Sequence, residues 1–306
     1  MTINQKQGAP IHEVKGTQFE VSGISVYLLR EDLLHPIISG NKWRKLKYNL
    51  IEAKKLGHQT LLTFGGAFSN HIHATAAAGN EFGFKTIGVI RGEEHLPLNP
   101  TLDQAKSWGM QLNYISRNEY RNKEQSEFIE ALGSKYGEFY LIPEGGSNSL
   151  AVRGCTEIVT EVHQTFDFWC VPCGTGGTLA GIVNGLNGSS KVIGFSALKN
   201  GSFLNQNVDN FLIKNGYKLP KKWEINVDNH FGGYAKFTRE LIDFINQFKA
   251  EHQIQLDPIY TGKMMLGILR LSTQGYFPSG SRILAVHTGG KQGIEGFNRR
   301  NGNIID

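Results

Sequence analysis

Residues 166–183 read FDFWCVPCGTGGTLAGIV, an apolar run followed by a glycine loop and a second, small-residue-rich apolar segment. A short apolar run that ends at glycines predicts a buried strand, and the segment after the loop predicts a helix. This succession is the repeating unit of a doubly wound parallel sheet, and the helix start can receive an anion. The dinucleotide fingerprint fails, because Leu179 takes the place of the third glycine, and the Walker pattern is missing. A phosphate cup and a bare glycine turn both stay open.

The same alternation of short apolar runs and helical segments extends over the chain, so we predict an α/β fold of mainly parallel strands. The predicted strands cover 60–64, 86–90, 111–115, 139–142, 168–171, 192–195 and 283–286. The predicted helices cover 43–56, 70–82, 101–108, 122–136, 150–163, 178–186, 238–251 and 262–273.

Glycine pairs follow four of these strands. They are Gly65-Gly66, Gly145-Gly146, Gly176-Gly177 and Gly289-Gly290, in a chain whose 37 glycines in 306 residues exceed the usual frequency of about 7%. Ligands of open parallel sheets lie outside the carboxyl ends of the strands, where glycine lets backbone amides come close. We therefore expect a ligand at this edge.

Charge and cysteine content limit the other classes of function. The 32 Lys+Arg and 27 Asp+Glu residues are spread along the chain, which gives no support to a nucleic-acid surface. An apolar run long enough for a membrane span and a secretory signal are both missing, so we predict a cytoplasmic protein. Cys155, Cys170 and Cys173 offer no second pair for zinc, and a redox pair at 170–173 has a poor context. We predict no metal.

Lys42 is unusual because it stands in the first turn of a predicted helix whose apolar face holds Trp43, Leu46, Leu50 and Ala53. A helix N-terminus disfavours a cation, and a pocket around the amine would lower its pKa further. A lowered pKa is what a Schiff-base lysine requires. On spacing alone, a solvated lysine is the simpler interpretation.

A second helix start reads Ser69-Asn70-His71-Ile72-His73. Ser69 or Asn70 can be the helix cap, or Ser69 and the nearby amides can bind a substrate carboxylate. His71 and His73 are two residues apart, which places them on different faces of a helix and argues against a metal.

Six ordered motifs together resemble the 1-aminocyclopropane-1-carboxylate deaminase / D-cysteine desulfhydrase family. They are Gly40-Asn41-Lys42-x-Arg44-Lys45-Leu46, Gly65-Gly66-x-x-Ser69-Asn70, Gly145-Gly146-Ser147-Asn148, Gly174–Thr178, Asp257-Pro258-x-Tyr260-x-Gly262-Lys263 and His287-Thr288-Gly289-Gly290. This family uses pyridoxal 5'-phosphate, and the resemblance makes Lys42 the expected Schiff-base lysine and Cα base. It also implies roles for Asn70 at the cofactor's ring hydroxyl, for Ser69 at the substrate carboxylate or as a proton relay, and for Tyr260 against the pyridine ring. The remaining implied cofactor contacts are Gly174, Thr175, Gly176, Gly177, Thr178 and Thr288.

The resemblance further implies the tryptophan-synthase-β fold (fold type II), with two doubly wound α/β domains and the cofactor between them. The expected larger domain comprises 1–45 and 155–306, and the inserted smaller domain 46–154. A homodimer follows from the family's tendency.

Two positions help to choose the activity. The deaminases of this family carry a glutamate after the tyrosine and a leucine before the last glycine pair, where this chain has Thr261 and Thr288. This resembles the desulfhydrase pattern, and a threonine supports an uncharged pyridine nitrogen. The predicted reaction in amino-acid metabolism is therefore β-elimination, most simply of D-cysteine to pyruvate, ammonia and sulfide.

Three alternatives remain, namely the deaminase, an amino-acid racemase and a non-catalytic sensor of a phosphorylated ligand. Phe68, His71 and Trp43 depart from the family pattern, which puts the substrate in question.

Overall fold

A computed structural model describes residues 8–16, 19 and 23–306. The strands, in chain order, are β1 (Ile11–Val14), β2 (Ser25–Leu29), β3 (Thr60–Gly66), β4 (Lys85–Arg91), β5 (Gln111–Ile115), β6 (Tyr140–Ile142), β7 (Phe168–Cys173), β8 (Lys191–Ser196), β9 (Trp223–Asn226) and β10 (Arg282–Val286). The α-helices are α1 (Asn41–Lys55), α2 (Asn70–Phe82), α3 (Pro100–Ser107), α4 (Ser126–Tyr136), α5 (Ser149–Thr160), α6 (Gly177–Leu186), α7 (Phe203–Lys214), α8 (Arg239–His252), α9 (Thr261–Thr273) and α10 (Gly293–Asn301). These strands form two sheets.

The larger sheet has the order β1-β2-β10-β7-β8-β9, and within it only the β1–β2 pair is antiparallel. Side chains alternate between its two faces, so that Cys170 packs against the helices α8 and α9 while Trp169 and Val171 pack against α5, α6 and α7. Helices that cover both faces of a parallel sheet define the doubly wound architecture.

The smaller sheet has the order β5-β4-β3-β6, and all of its pairs are parallel. Leu61 of the central strand β3 packs with apolar side chains of α1 and α2, and its neighbour Leu62 packs on the other face with Leu132 of α4. The structure therefore confirms the α/β class and the two doubly wound layers.

Each predicted strand and helix has a counterpart, and of the strands and α-helices in the described residues five were not predicted: β1, β2, β9, α7 and α10. The three missed strands are four or five residues long, and two of them, β1 and β9, are the edge strands of the larger sheet. The helix predicted over 122–136 begins only at Ser126, and its predicted first residue, Asn122, is the last residue of a short 3-10 turn, Glu119–Asn122. Trp43 is half-buried, whereas Leu46, Leu50 and Ala53 are fully buried as expected.

The expected domain limits stay a prediction. All strands of the smaller sheet lie between residues 46 and 154, and those of the larger sheet lie outside that range. Both limits fall inside helices, α1 and α5, and these two helices pack against each other.

Cys155, Cys170 and Cys173 are free and buried. Cys170 and Cys173 belong to cores on opposite faces of the larger sheet, so their side chains do not converge. Within the ranges given above, no helix has both the length and the apolar composition needed to cross a bilayer.

Candidate active site

Close backbone approaches at glycines bring the carboxyl ends of the two sheets together. A Cβ on Gly40 would lie 2.0 Å from the Thr288 carbonyl oxygen, and one on Gly145 would lie 2.9 Å from Thr175 Cγ2. The loop after β10 thus contacts the start of α1, and the loop after β6 contacts the loop after β7. Hydrogen bonds from Asn41 to Thr178 and from Lys45 to Gly145 O join α1 to the segment after β7 and to the loop after β6.

The glycine loop after β7 forms a cup of free amides. Gly176 takes a left-handed conformation (φ 92°) as the N-cap of α6, and no side chain among the described residues caps this helix. Ala180 N donates to Gly176 O (2.9 Å), so the amides of Gly177, Thr178 and Leu179 come before the first intrahelical bond. Such amides at a positive helix end bind phosphoryl groups, which favours the phosphate cup over a bare turn.

Missing side chains keep this cup open. A Cβ on Gly174 would lie 3.1 Å from both Cε1 and Oη of Tyr260. A Cβ on Gly177 would lie 2.8 Å from Ser147 Oγ and 3.4 Å from Lys45 Nζ. Tyr260 therefore lies beside the cup.

Lys45 supplies a cation that the sequence analysis did not identify. Its Nζ donates to Gly145 O (2.9 Å) and Ser147 Oγ (2.8 Å), and Ser147 Oγ lies 2.6 Å from Thr175 Oγ1. Burial lowers the pKa of this amine. The signal in the sequence was its position three residues after Lys42, which places both side chains on one side of the helix.

The start of α1 holds Lys42 beside the cup. Asn41 Nδ2 donates to Thr178 Oγ1 (2.9 Å), and Asn41 N donates to Thr288 O (3.3 Å). The Lys42 side chain is half-buried, and its Nζ has no hydrogen bond or ion pair to the described part of the chain. Burial, with a smaller contribution from the Lys45 charge, lowers the pKa of Lys42 to about 7. The amine is therefore substantially neutral and nucleophilic near neutral pH.

This pKa predicts the pH dependence of labelling at Lys42. In the apoprotein, reductive methylation with formaldehyde and cyanoborohydride should accelerate through about pH 7 and level off above it, because only the neutral amine attacks the aldehyde. An exposed lysine with an ordinary pKa of about 10.4 should keep accelerating beyond that point. Peptide mass spectrometry measures both rates, and a Lys42 profile that follows the exposed lysines would contradict the prediction.

Ser69 is the N-cap of α2. Its Oγ accepts from the amides of His71 (3.2 Å) and Ile72 (3.3 Å), which leaves the hydroxyl proton available for donation. Asn70 follows as the first helical residue, and its Oδ1 accepts a hydrogen bond from Gln292 Nε2. Both side chains stand at the carboxyl end of β3, as expected.

The two diagnostic threonines have different environments. Thr261 Oγ1 donates to Asp257 Oδ2 (2.7 Å) and accepts from Asp257 N (2.8 Å). Its hydroxyl is therefore fully hydrogen-bonded to Asp257, just before α9. Thr288 lies in the loop that touches Gly40, and its side chain is nearly buried. Of the two, Thr288 is the one whose hydroxyl is left for a ligand.

The three departures from the family pattern lie in different surroundings. Trp43 stacks on Phe82 and on the imidazole of His35. Phe68 packs against α10, where a Cβ on Gly296 would lie 2.9 Å from its ring. His71 is buried, its Nε2 lies 2.7 Å from Thr63 Oγ1, and burial lowers its pKa well below the usual value. None of the three supplies a charged group to the cup.

The chain is similar to known proteins over most of its length. The family model described as "Pyridoxal-phosphate dependent enzyme" matches residues 5–289. A Pyrococcus horikoshii protein named "Putative 1-aminocyclopropane-1-carboxylate deaminase" is 34% identical over 296 residues, which span 93% of this chain and 90% of that protein. A D-cysteine desulfhydrase of Klebsiella pneumoniae is 29% identical over 88% of this chain and 87% of its own length. A solved structure described as an ACC deaminase homologue has a TM-score of 0.87 at 30% identity and covers 98% of this chain and 94% of its own. The similarity thus extends over almost the whole chain, and it includes relatives with both names.

Proposed function

The chain belongs to the family of pyridoxal-phosphate-dependent enzymes, and from this premise we propose that it eliminates the β-substituent of a small amino acid, most simply D-cysteine. The products would be pyruvate, ammonia and sulfide. The observation that carries the proposal is that Lys42 has a lowered pKa and lies beside the glycine cup.

The residues present fit the cofactor. The amides of Gly177 and Thr178, together with the Lys45 ammonium, would hold the phosphate. Asn70 would bond the ring oxygen and Tyr260 would lie against the ring. When bound, pyridoxal phosphate supplies an electron sink for the electron pair left at Cα after a proton is removed.

Lys42 would act as both anchor and base. Because its pKa is about 7, its amine can accept the Cα proton at neutral pH and return it later. Ser69, whose hydroxyl proton is available, would bind the substrate carboxylate at the positive N-terminus of α2. In the reaction, the Cα proton goes to Lys42 Nζ, hydrosulfide leaves Cβ with the bonding electron pair, and hydrolysis releases pyruvate and ammonia.

The absence of a charge at position 261 favours D-cysteine over the cyclopropane substrate. Opening a cyclopropane needs a strong electron sink, which a carboxylate near the ring nitrogen would promote by keeping that nitrogen protonated. Thr261 carries no charge and its hydroxyl is engaged by Asp257. A thiolate leaves readily, so elimination from D-cysteine requires less.

Turnover of each substrate by the purified holoenzyme tests this proposal. We expect a higher kcat/KM for D-cysteine than for L-cysteine or 1-aminocyclopropane-1-carboxylate, measured as sulfide and 2-oxoacid release. Preference for the cyclopropane would overturn it in favour of the deaminase. Inversion of an amino acid without 2-oxoacid would indicate a racemase, and a colourless protein that binds a phosphorylated ligand would indicate a sensor.

Replacement of Lys45 by methionine should weaken cofactor binding. A hydrogen bond to a charged group contributes about 1.5–3 kcal/mol, so the Kd for pyridoxal phosphate should rise about ten- to a hundredfold. Equilibrium dialysis of the apoprotein measures this Kd, and Lys54→Met, an exposed position on the same helix, is the matched control. An unchanged Kd in a folded Lys45→Met variant would remove Lys45 from the phosphate site.

The homodimer and the cytoplasmic location stay predictions. Sedimentation velocity of the holoenzyme tests the first, and fractionation of the source cells tests the second.

A further inference from the structure

One glutamine bridges the two sheets at the candidate site. Gln292 follows the glycine pair after β10, in the larger sheet, while Asn70 and Thr101 stand on α2 and α3, which pack with the smaller sheet. Thr101 Oγ1 donates to Gln292 Oε1 (3.1 Å), and Gln292 Nε2 donates to Asn70 Oδ1. The Gln292 side chain thus contacts two residues from the other side of the cleft, by which we mean the space between the carboxyl ends of the two sheets.

These hydrogen bonds have a fixed direction. The Thr101 side chain is 1% exposed, and a buried hydroxyl needs an acceptor for its proton. When Gln292 Oε1 is that acceptor, the amide –NH₂ of Gln292 must face Asn70, whose Oδ1 must then accept. Asn70 Nδ2 is therefore the last donor in this series of hydrogen bonds, and it has no acceptor in the described part of the protein.

We propose that Gln292 is a positioning residue, which holds the Asn70 amide with its –NH₂ toward the cleft. The inference rests on the proposed function, in which Asn70 meets the ring oxygen of the cofactor. An ionised ring oxygen accepts hydrogen bonds only, so it needs a donor and is repelled by an amide oxygen. Gln292 therefore determines which end of Asn70 the cofactor meets.

Two substitutions distinguish positioning from simple packing. In Gln292→Leu, Asn70 loses its constraint but can still turn its –NH₂ to the cofactor. In Gln292→Glu, the new carboxylate accepts hydrogen bonds on both sides, so it attracts the Asn70 –NH₂ and turns Oδ1 toward the ring oxygen. A packing role predicts the opposite order, because glutamate has almost the shape of glutamine and leucine does not.

We expect the Kd for pyridoxal phosphate to rise about two- to fivefold in Gln292→Leu, because the hydrogen bond from Asn70 loses its fixed orientation. In Gln292→Glu the Kd should rise about tenfold or more, because a repulsion replaces that hydrogen bond. The absorption spectrum gives a second readout. A donor stabilises the ionised ring oxygen, so the pH at which the cofactor's two absorption bands interchange should rise in the order wild type, Gln292→Leu, Gln292→Glu.

Thr101→Val provides an independent variant that keeps the side-chain shape. It removes the hydroxyl that orients Gln292, so both readouts should move in the same direction as in Gln292→Leu. Gln104→Glu, an exposed change on the same helix as Thr101, is the control for added negative charge and should leave both readouts unchanged.

If Gln292→Glu stays closer to wild type than Gln292→Leu, or if Thr101→Val leaves the spectrum unchanged, the inference is wrong. A wild-type protein that fails to bind pyridoxal phosphate would instead refute the proposed function. Thermal unfolding of each apoprotein separates both outcomes from a failure to fold.

Discussion

Lys42→Arg should abolish turnover and leave a colourless protein. Arginine keeps the positive charge at the start of α1, but its guanidinium does not deprotonate in proteins and cannot attack an aldehyde. Both the covalent anchor and the Cα base are then lost. A positioned acid–base group alone contributes up to about 10⁴-fold, so we expect a loss of about 10⁴-fold or more in kcat.

The spectrum of the purified variant and its 2-oxoacid release test this expectation. Borohydride reduction of the wild-type holoenzyme should attach the cofactor to the peptide that contains Lys42, and it should label no peptide of the variant. Lys47→Arg is the matched control, because Lys47 lies on the same helix and its ion pair with Glu157 (2.8 Å) suits an arginine. Retention of the yellow colour by Lys42→Arg would mean that another amine holds the cofactor.

Gly40→Ala should strongly lower both stability and kcat, although Gly40 has no side chain that could act in the reaction. Gly40 has φ 68° and ψ −149°, a region that is essentially restricted to glycine. Its Cβ would collide with backbone atoms, at 2.0 Å from Thr288 O and 2.4 Å from Thr288 C. Backbone strain and overpacking each cost about 1–3 kcal/mol, so the free energy of unfolding should fall by about 2–6 kcal/mol. Displacement of the helix start by about 1 Å should lower kcat about 10²-fold through Lys42.

Gly57→Ala is the control that distinguishes the effect of the close contact with Thr288 from the effect of a positive φ. Gly57 follows the same helix and also has a positive φ of 81°, but nothing lies within 4 Å of its added Cβ. It should therefore lose only about 1–2 kcal/mol of stability and keep its kcat. Chemical denaturation and steady-state kinetics of both variants provide the comparison. Equal effects at the two positions would show that the contact with Thr288 is unimportant.

Local pattern was sufficient for the fold class and for much of the candidate site. The strand before Gly174 and the helix after Gly177 follow from a short apolar run, a glycine loop and a small-residue segment, all of which are neighbours in the chain. Ser69 was a possible cap because serine favours helix starts, and it is the cap. The edge strands of the larger sheet, β1 and β9, were missed because their sequences, IHEV and WEIN, mix apolar residues with charged and polar ones and do not form an apolar run.

The α/β architecture, the glycine ends of the strands and, through ordered motifs, the family thus follow from the amino-acid sequence alone. The three-dimensional packing brings Lys45 to Gly145 across 100 residues and Gln292 to Asn70 across 222. It also decided the pKa of Lys42, because desolvation depends on which distant segments surround an amine. Strand and helix patterns arise from neighbours in the chain, whereas burial and long-range hydrogen bonds arise from how the two sheets pack together.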